Sequence, residues 1–97
     1  MGYLSMQSKS GGVTKSVFLH SYALLIRHLV DARISAGITQ VDLANRLGRP
    51  QSFVSKVESG DRRIDVIEFL QIIAALNVAH EPIIASVLAA LVDDEVR

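Results

Sequence analysis

Gln51, Ser52, Ser55 and Lys56 are the side chains whose types and spacing best suit recognition chemistry in this chain. Their intervals gather them on one side of a short helix. An amide such as Gln51 can pair with both N6 and N7 of adenine, and an ammonium such as Lys56 donates to guanine O6 or N7. A hydroxyl such as Ser52 or Ser55 serves as donor or acceptor. The set holds no nucleophile activated by a base, so it points to reading a polar edge rather than to turnover. Phe53 stands among them and suits two roles equally: contact with a thymine methyl, or packing in the core or an interface.

Four further residues are placed to hold a phosphate backbone around that face. Gln40 falls in the first turn of the preceding helix, where its amide and the free backbone N–H groups can grip a phosphate together. Arg49 precedes Pro50 in the turn, and Arg62 and Arg63 follow Gly60. Contacts of this kind fix register without reading sequence.

The elements that must position these groups lie within residues 39–60, TQVDLANRLGRPQSFVSKVESG. Two helices crossing steeply through a tight turn need a small residue at the crossing, here Ala44. They also need a residue free to take positive φ at the turn, here Gly48, and an inward apolar residue further on, here Val54. Leu43, Leu47 and Val57 complete the buried side. Thr39 caps the first helix (38–47) with Asp42 three residues on. Pro50 suits the first position of the second helix (51–59), and Arg49 before it is a poor cap.

The run ITQVDLANRLGRPQSFVSKVESGDRR resembles the phage-repressor and Cro-like (XRE-type) helix-turn-helix family. The match lies in Thr-Gln before the first helix, Asp-Leu-Ala within it, Leu-Gly at the turn, and Gln-Ser-x-Val-Ser-Lys-x-Glu-x-Gly after it. It covers roughly residues 17–79. The departure is Arg49-Pro50, where the family more often has an apolar residue and a Ser or Thr cap. The resemblance implies an all-α, five-helix, lambda-repressor-like fold with double-stranded DNA as partner. It implies a phosphate-clamping role for Gln40 and a structural ion pair between Arg33 and Glu58. It also implies dimerisation through the C-terminal region.

Flanking helices are expected from local signals. Residues 16–36 carry Val17, Leu24, Leu25, His28, Leu29 and Ala32 at helical steps, and Gly37 ends the run. Asp65 and Glu68 form a capping box for a helix to residue 76, whose inward stripe is expected to be Ile67, Leu70, Ile73 and Ala74. Val66, Ile72 and Leu76 are expected on its other faces. Glu81-Pro82 opens a fifth helix to about residue 92, apolar on two sides. Ile84, Val87, Leu88 and Leu91 are its expected interface residues, in a two-fold homodimer rather than in one deep core. The closing acidic run, Asp93-Asp94-Glu95, is expected in solvent.

Residues 1–15 read as a flexible arm or in part a non-native remnant, with residues 16–97 as one domain. The net charge of zero hides an asymmetry. Residues 1–63 carry nine Lys/Arg against four Asp/Glu, and residues 64–97 one against six, so the half bearing the recognition residues is cationic. There is no cysteine, which excludes disulfides and thiolate metal sites and fits a cytoplasmic protein. No apolar run is long enough to span a membrane, and neither apolar run reads as a signal peptide, so none is expected. His20, His28 and Asp31 share a helix side but read as core or boundary residues, so no metal site and no cofactor are expected. No phosphate-binding glycine loop, HExxH or nucleophile elbow occurs, and no enzyme is expected. The function expected is a dimeric, sequence-specific transcriptional repressor reading a two-fold operator. The alternative is an antitoxin-type module whose main partner is a toxin protein and whose DNA binding is secondary.

Overall fold

The computed structural model describes residues 19–96. Among them the regular structure is five helices: α1 (His20–Ser35), α2 (Gln40–Leu47), α3 (Gln51–Ser59), α4 (Val66–Leu76) and α5 (Glu81–Val96). The architecture is all-α and lambda-repressor-like, with α2 and α3 forming the central helix-turn-helix. The readings of residues 1–15 and of Val17 lie outside the described residues.

Helix starts follow local chemistry at two places. Thr39 Oγ1 accepts the Asp42 N–H at 3.0 Å while the Asp42 carboxylate accepts the Thr39 N–H at 3.1 Å. Asp65 and Glu68 repeat the exchange at 2.7 and 3.0 Å. Both boxes satisfy amide groups that a helix N-terminus would otherwise leave bare. Left-handed residues close the helices: Gly48 at φ 66° ends α2, and Asn77 at φ 56° ends α4.

The first helix starts later than its periodicity suggests. Leu19 is extended at ψ 137° and offers no side-chain cap, so α1 begins at His20. Its missing cap comes from the other end of the chain, where Asp94 Oδ2 accepts the Ser21 N–H at 2.8 Å. Asp94 is therefore not a solvated tail residue, and α5 continues to Val96 rather than stopping near residue 92. His28 Nε2 and Ser86 Oγ share a hydrogen bond at 3.0 Å. Together the two contacts run α1 and α5 antiparallel, with Ser21 beside Asp94 and His28 beside Ser86.

The core is one cluster fed by all five helices, including Leu29, Leu43, Val54, Phe69, Ile72 and Ile83. The inward face of α4 differs from the stripe expected. Phe69, Ile72, Ile73 and Leu76 are buried, while Ile67 is 62% exposed and Leu70 and Ala74 face outward. Nine of the helix's eleven residues are apolar, VIEFLQIIAAL, so periodicity alone does not select a face; packing against α2 and α1 does. On α1, Ser21, Ile26 and Leu29 are buried, while Leu24, Leu25, His28 and Ala32 are half-buried.

Candidate nucleic-acid interface

The turn between α2 and α3 sets the angle of the recognition face. Ala44 and Val54 are each 2% exposed and belong to one buried core, so the two helices meet over small side chains. The Arg49 N–H returns to Ala44 O at 3.0 Å, and the Gly48 N–H to Asn45 O at 3.2 Å, which locks the end of α2. Pro50 is the N-cap of α3 rather than its first helical residue: its ψ of 152° is extended and Gln51 opens the helix. A proline placed here offers no side-chain oxygen, so no side-chain cap bond forms. The first amides of α3 and the positive end of its dipole are thus left next to Gln51 and Ser52.

Gln51, Ser52, Ser55 and Lys56 are all exposed. Gln51 Nε2 donates to Gln40 Oε1 at 3.2 Å, and Gln40 Nε2 donates to Glu58 Oε1 at 2.9 Å. Glu58 in turn accepts Arg33 Nε at 2.6 Å and Arg33 Nη2 at 3.0 Å, while Arg33 Nη1 donates to Ile38 O at 2.7 Å. Arg33 and Glu58 have side chains only 12% exposed. This bidentate pair joins α1 to α3, and the two glutamines extend it outward to the first residue of α3. Such a chain fixes one orientation for an amide that would otherwise rotate freely.

A second cluster borders the other side of α3. Phe53 is 8% exposed, with the Arg49 guanidinium carbon 3.9 Å and that of Arg62 4.9 Å from its ring centroid. Of the two roles open to Phe53, the structure places it in the core as a shelf for two cations. Arg62 donates Nη1 and Nη2 to the Glu68 carboxylate at 3.0 and 2.9 Å, and Arg49 Nη1 lies 3.7 Å from the same group. The Arg62 bonds, with the Asp65 N–H, hold the Glu68 carboxyl below the usual carboxylate range. Arg63 stacks over Tyr22 at 4.2 Å, and Tyr22 Oη accepts the Ile64 N–H at 3.3 Å. The segment after α3 is thereby tied to both α1 and α4.

Glu68 and Tyr22 were not among the sequence's candidate site residues. Glu68 is legible as a cap, but its pairing with Arg62 spans a loop and has no local signature. Tyr22 lies 42 residues from its partner Ile64.

The expected interface residues of α5 divide. Ile84 is 38% and Leu88 57% exposed, and Val92, one turn further, is 63% exposed. Val87 packs against the core instead and Leu91 is half-buried. The outward apolar stripe is therefore Ile84, Leu88 and Val92, with Ala85 and Ala89 beside it. No helix among the described residues is long and apolar enough to cross a membrane.

A helix-turn-helix family model matches residues 29–83, more than half of the chain and all of α2, α3 and α4. The chain is similar to a solved structure described as an XRE-family like protein from Pseudomonas syringae pv. tomato str. DC3000. The two share 44% identity over 79% of this chain and 94% of that one, with a TM-score of 0.71. No curated protein matches. The turn geometry, the matched span and this likeness agree: the chain belongs to the XRE-type helix-turn-helix family of DNA-binding transcription regulators.

Proposed function

We propose that this protein is a sequence-specific transcriptional repressor that binds a two-fold operator as a homodimer. Gln51, Ser52, Ser55 and Lys56 enter the major groove and meet base edges. Gln40, Arg49, Arg62 and Arg63 hold phosphates on either side and set the register. The observation that carries this reading is the hydrogen bond between Gln51 and Gln40. It aims one base-reading amide while leaving the whole Gln51–Lys56 face open. Dimerisation through the outward stripe of α5, Ile84, Leu88 and Val92, places two α3 helices on half-sites about one helical turn apart.

The test is a fluorescence-anisotropy titration against DNA from upstream of the protein's own gene, with scrambled DNA as control, at two salt concentrations. Tight, sequence-dependent binding that weakens with salt and is lost in Gln51→Ala/Lys56→Ala supports base reading by α3. Equal weak binding to both DNAs removes it.

A second reading has an observation of its own. Val66, Ile67 and Leu70 on α4 are 70%, 62% and 44% exposed, an apolar surface. An antitoxin whose main partner is a small toxin protein would use such a surface. Co-purification with a neighbouring gene's product, lost in Ile67→Lys, would favour it over a dedicated repressor.

A further inference from the structure

The Arg62 cluster does more than add positive charge to the rim. We propose that Arg62 presents a preset two-donor edge to one DNA phosphate, and that Phe53 and Glu68 are the positioning residues that aim it. This inference rests on the DNA-binding reading above but not on base recognition.

A guanidinium has five N–H donors in one plane. Nη1 donates to Glu68 Oε1 at 3.0 Å and to Arg63 O at 2.9 Å, which uses both of its hydrogens. Nη2 donates to Glu68 Oε2 at 2.9 Å, which uses one. Among the described residues no hydrogen bond engages Nε. The donors that remain are Nε–H and the second hydrogen of Nη2. These two point the same way, as a parallel fork whose spacing matches two oxygens of a phosphodiester.

Each part of the fork's surroundings limits its motion. Glu68 fills the opposite edge, and its carboxylate is itself held by the Asp65 N–H at the start of α4. The Phe53 ring supports the guanidinium plane and is fixed by the core. Because Phe53 lies in the first turn of α3, the fork keeps register with Gln51 and Ser52. The backbone of Arg62 is tied to the same helix, its N–H donating to Lys56 O at 3.1 Å. Arg49 shares the ring and lies 3.7 Å from the carboxylate, so two guanidiniums face the one Glu68 carboxylate. An arginine held this way loses little side-chain freedom when it binds.

The experiment compares Arg62→Lys and Arg62→Ala with the wild type on upstream and scrambled duplexes across a salt series. In parallel, the Arg62 Nε–H resonance of the wild-type chain is followed by NMR as duplex is added. Lysine keeps the charge and removes the fork. Arg62→Lys is expected to bind both duplexes about fivefold more weakly, the loss of roughly one charge-assisted hydrogen bond. The ratio between the two duplexes and the salt slope should stay as in the wild type. Arg62→Ala should lower that slope by about 0.9. The wild-type Nε–H resonance should shift as duplex saturates the protein, a readout that needs no variant to fold. Wild-type affinity in Arg62→Lys, or an Nε–H resonance unmoved by a bound duplex, would overturn the proposal. If the wild type binds both duplexes equally, base reading fails while the resonance still decides this inference. If no duplex binds even at low salt, both fall.

Discussion

Gln51 on α3 donates to Gln40 on α2 at 3.2 Å, so the residue proposed to read a base is held by the one proposed to grip a phosphate. On that proposal the pairing couples register to readout. Truncating Gln40 should therefore harm discrimination as well as affinity. In Gln40→Ala, binding to upstream DNA is expected to fall more than binding to scrambled DNA. A double-mutant cycle with Gln51→Ala should return a coupling of about 0.5–3 kcal/mol, read by anisotropy titration. Strict additivity would mean that the two amides act independently.

The root of that chain is the Arg33–Glu58 pair, whose side chains are 12% exposed. Removing one partner leaves an enclosed charge without its counter-ion, so Arg33→Ala is expected to destabilise the fold by about 3 kcal/mol in urea unfolding. Replacing both, as Arg33→Met/Glu58→Leu, should recover most of that loss, because the cost of desolvating two ions disappears with them. DNA discrimination should not recover, since Glu58 also holds Gln40 at 2.9 Å. Stability and readout then separate in one variant.

What could be read from the chain, and what could not, divides by the range of the interactions. The Thr39 and Asp65 capping boxes, Ala44 at the crossing and the left-handed glycines depend on neighbours within a few residues, and their residue types show it. The face of α4 did not show, because an almost uniformly apolar helix leaves the choice to its packing partners. The Gln51–Gln40 bond follows from two elements being placed correctly. The Asp94 cap on α1 joins residues 73 apart, and no periodicity carries such information. Phe53 was ambiguous for a different reason: an aromatic ring flanked by polar residues suits a base, a core or a cation, and only the positions of Arg49 and Arg62 decide.

Leu88 is 57% exposed at the centre of the α5 stripe, with Ile84 and Val92 one turn to either side. A charge placed there meets water in the monomer but would be buried in a dimer that uses this face. Leu88→Glu is therefore expected to shift the protein to monomers in analytical ultracentrifugation at micromolar concentration, with its helical circular dichroism signal intact. Operator affinity should fall together with dimerisation. A dimer that persists in Leu88→Glu would move the interface elsewhere.

The turn itself offers a test in which conformation is isolated from packing. Gly48 sits at φ 66°, and a Cβ added there would meet nothing within 4 Å. Any loss in Gly48→Ala then comes from the left-handed backbone alone, about 1–2 kcal/mol. Gly48→Asn should lose less, because asparagine tolerates that region. A loss well above that range in thermal or urea unfolding would show that the α2–α3 angle had changed, and DNA binding would fall with it.

Asp94 supplies the amide acceptor that Leu19 does not, and the consequence is a pH dependence. Partial burial tends to raise its pKa, but the hydrogen bonds from Ser21 and the nearby His20 outweigh this, so its carboxyl is held below the ordinary value. A group whose folded pKa is depressed contributes stability above its unfolded pKa and loses it as pH falls through the folded one. The gap in melting temperature between wild type and Asp94→Ala should thus be full at pH 5–7. It should narrow once pH drops below about 4, where an unfolded aspartate takes up its proton. The gap at neutral pH should be that of one helix cap, about 1 kcal/mol. It should be accompanied by faster amide exchange at the α1 N-terminus, since that end of α1 loses its acceptor. A gap that stayed constant to pH 3 would show that Asp94 acts through packing of α5 on α1 rather than through its charge.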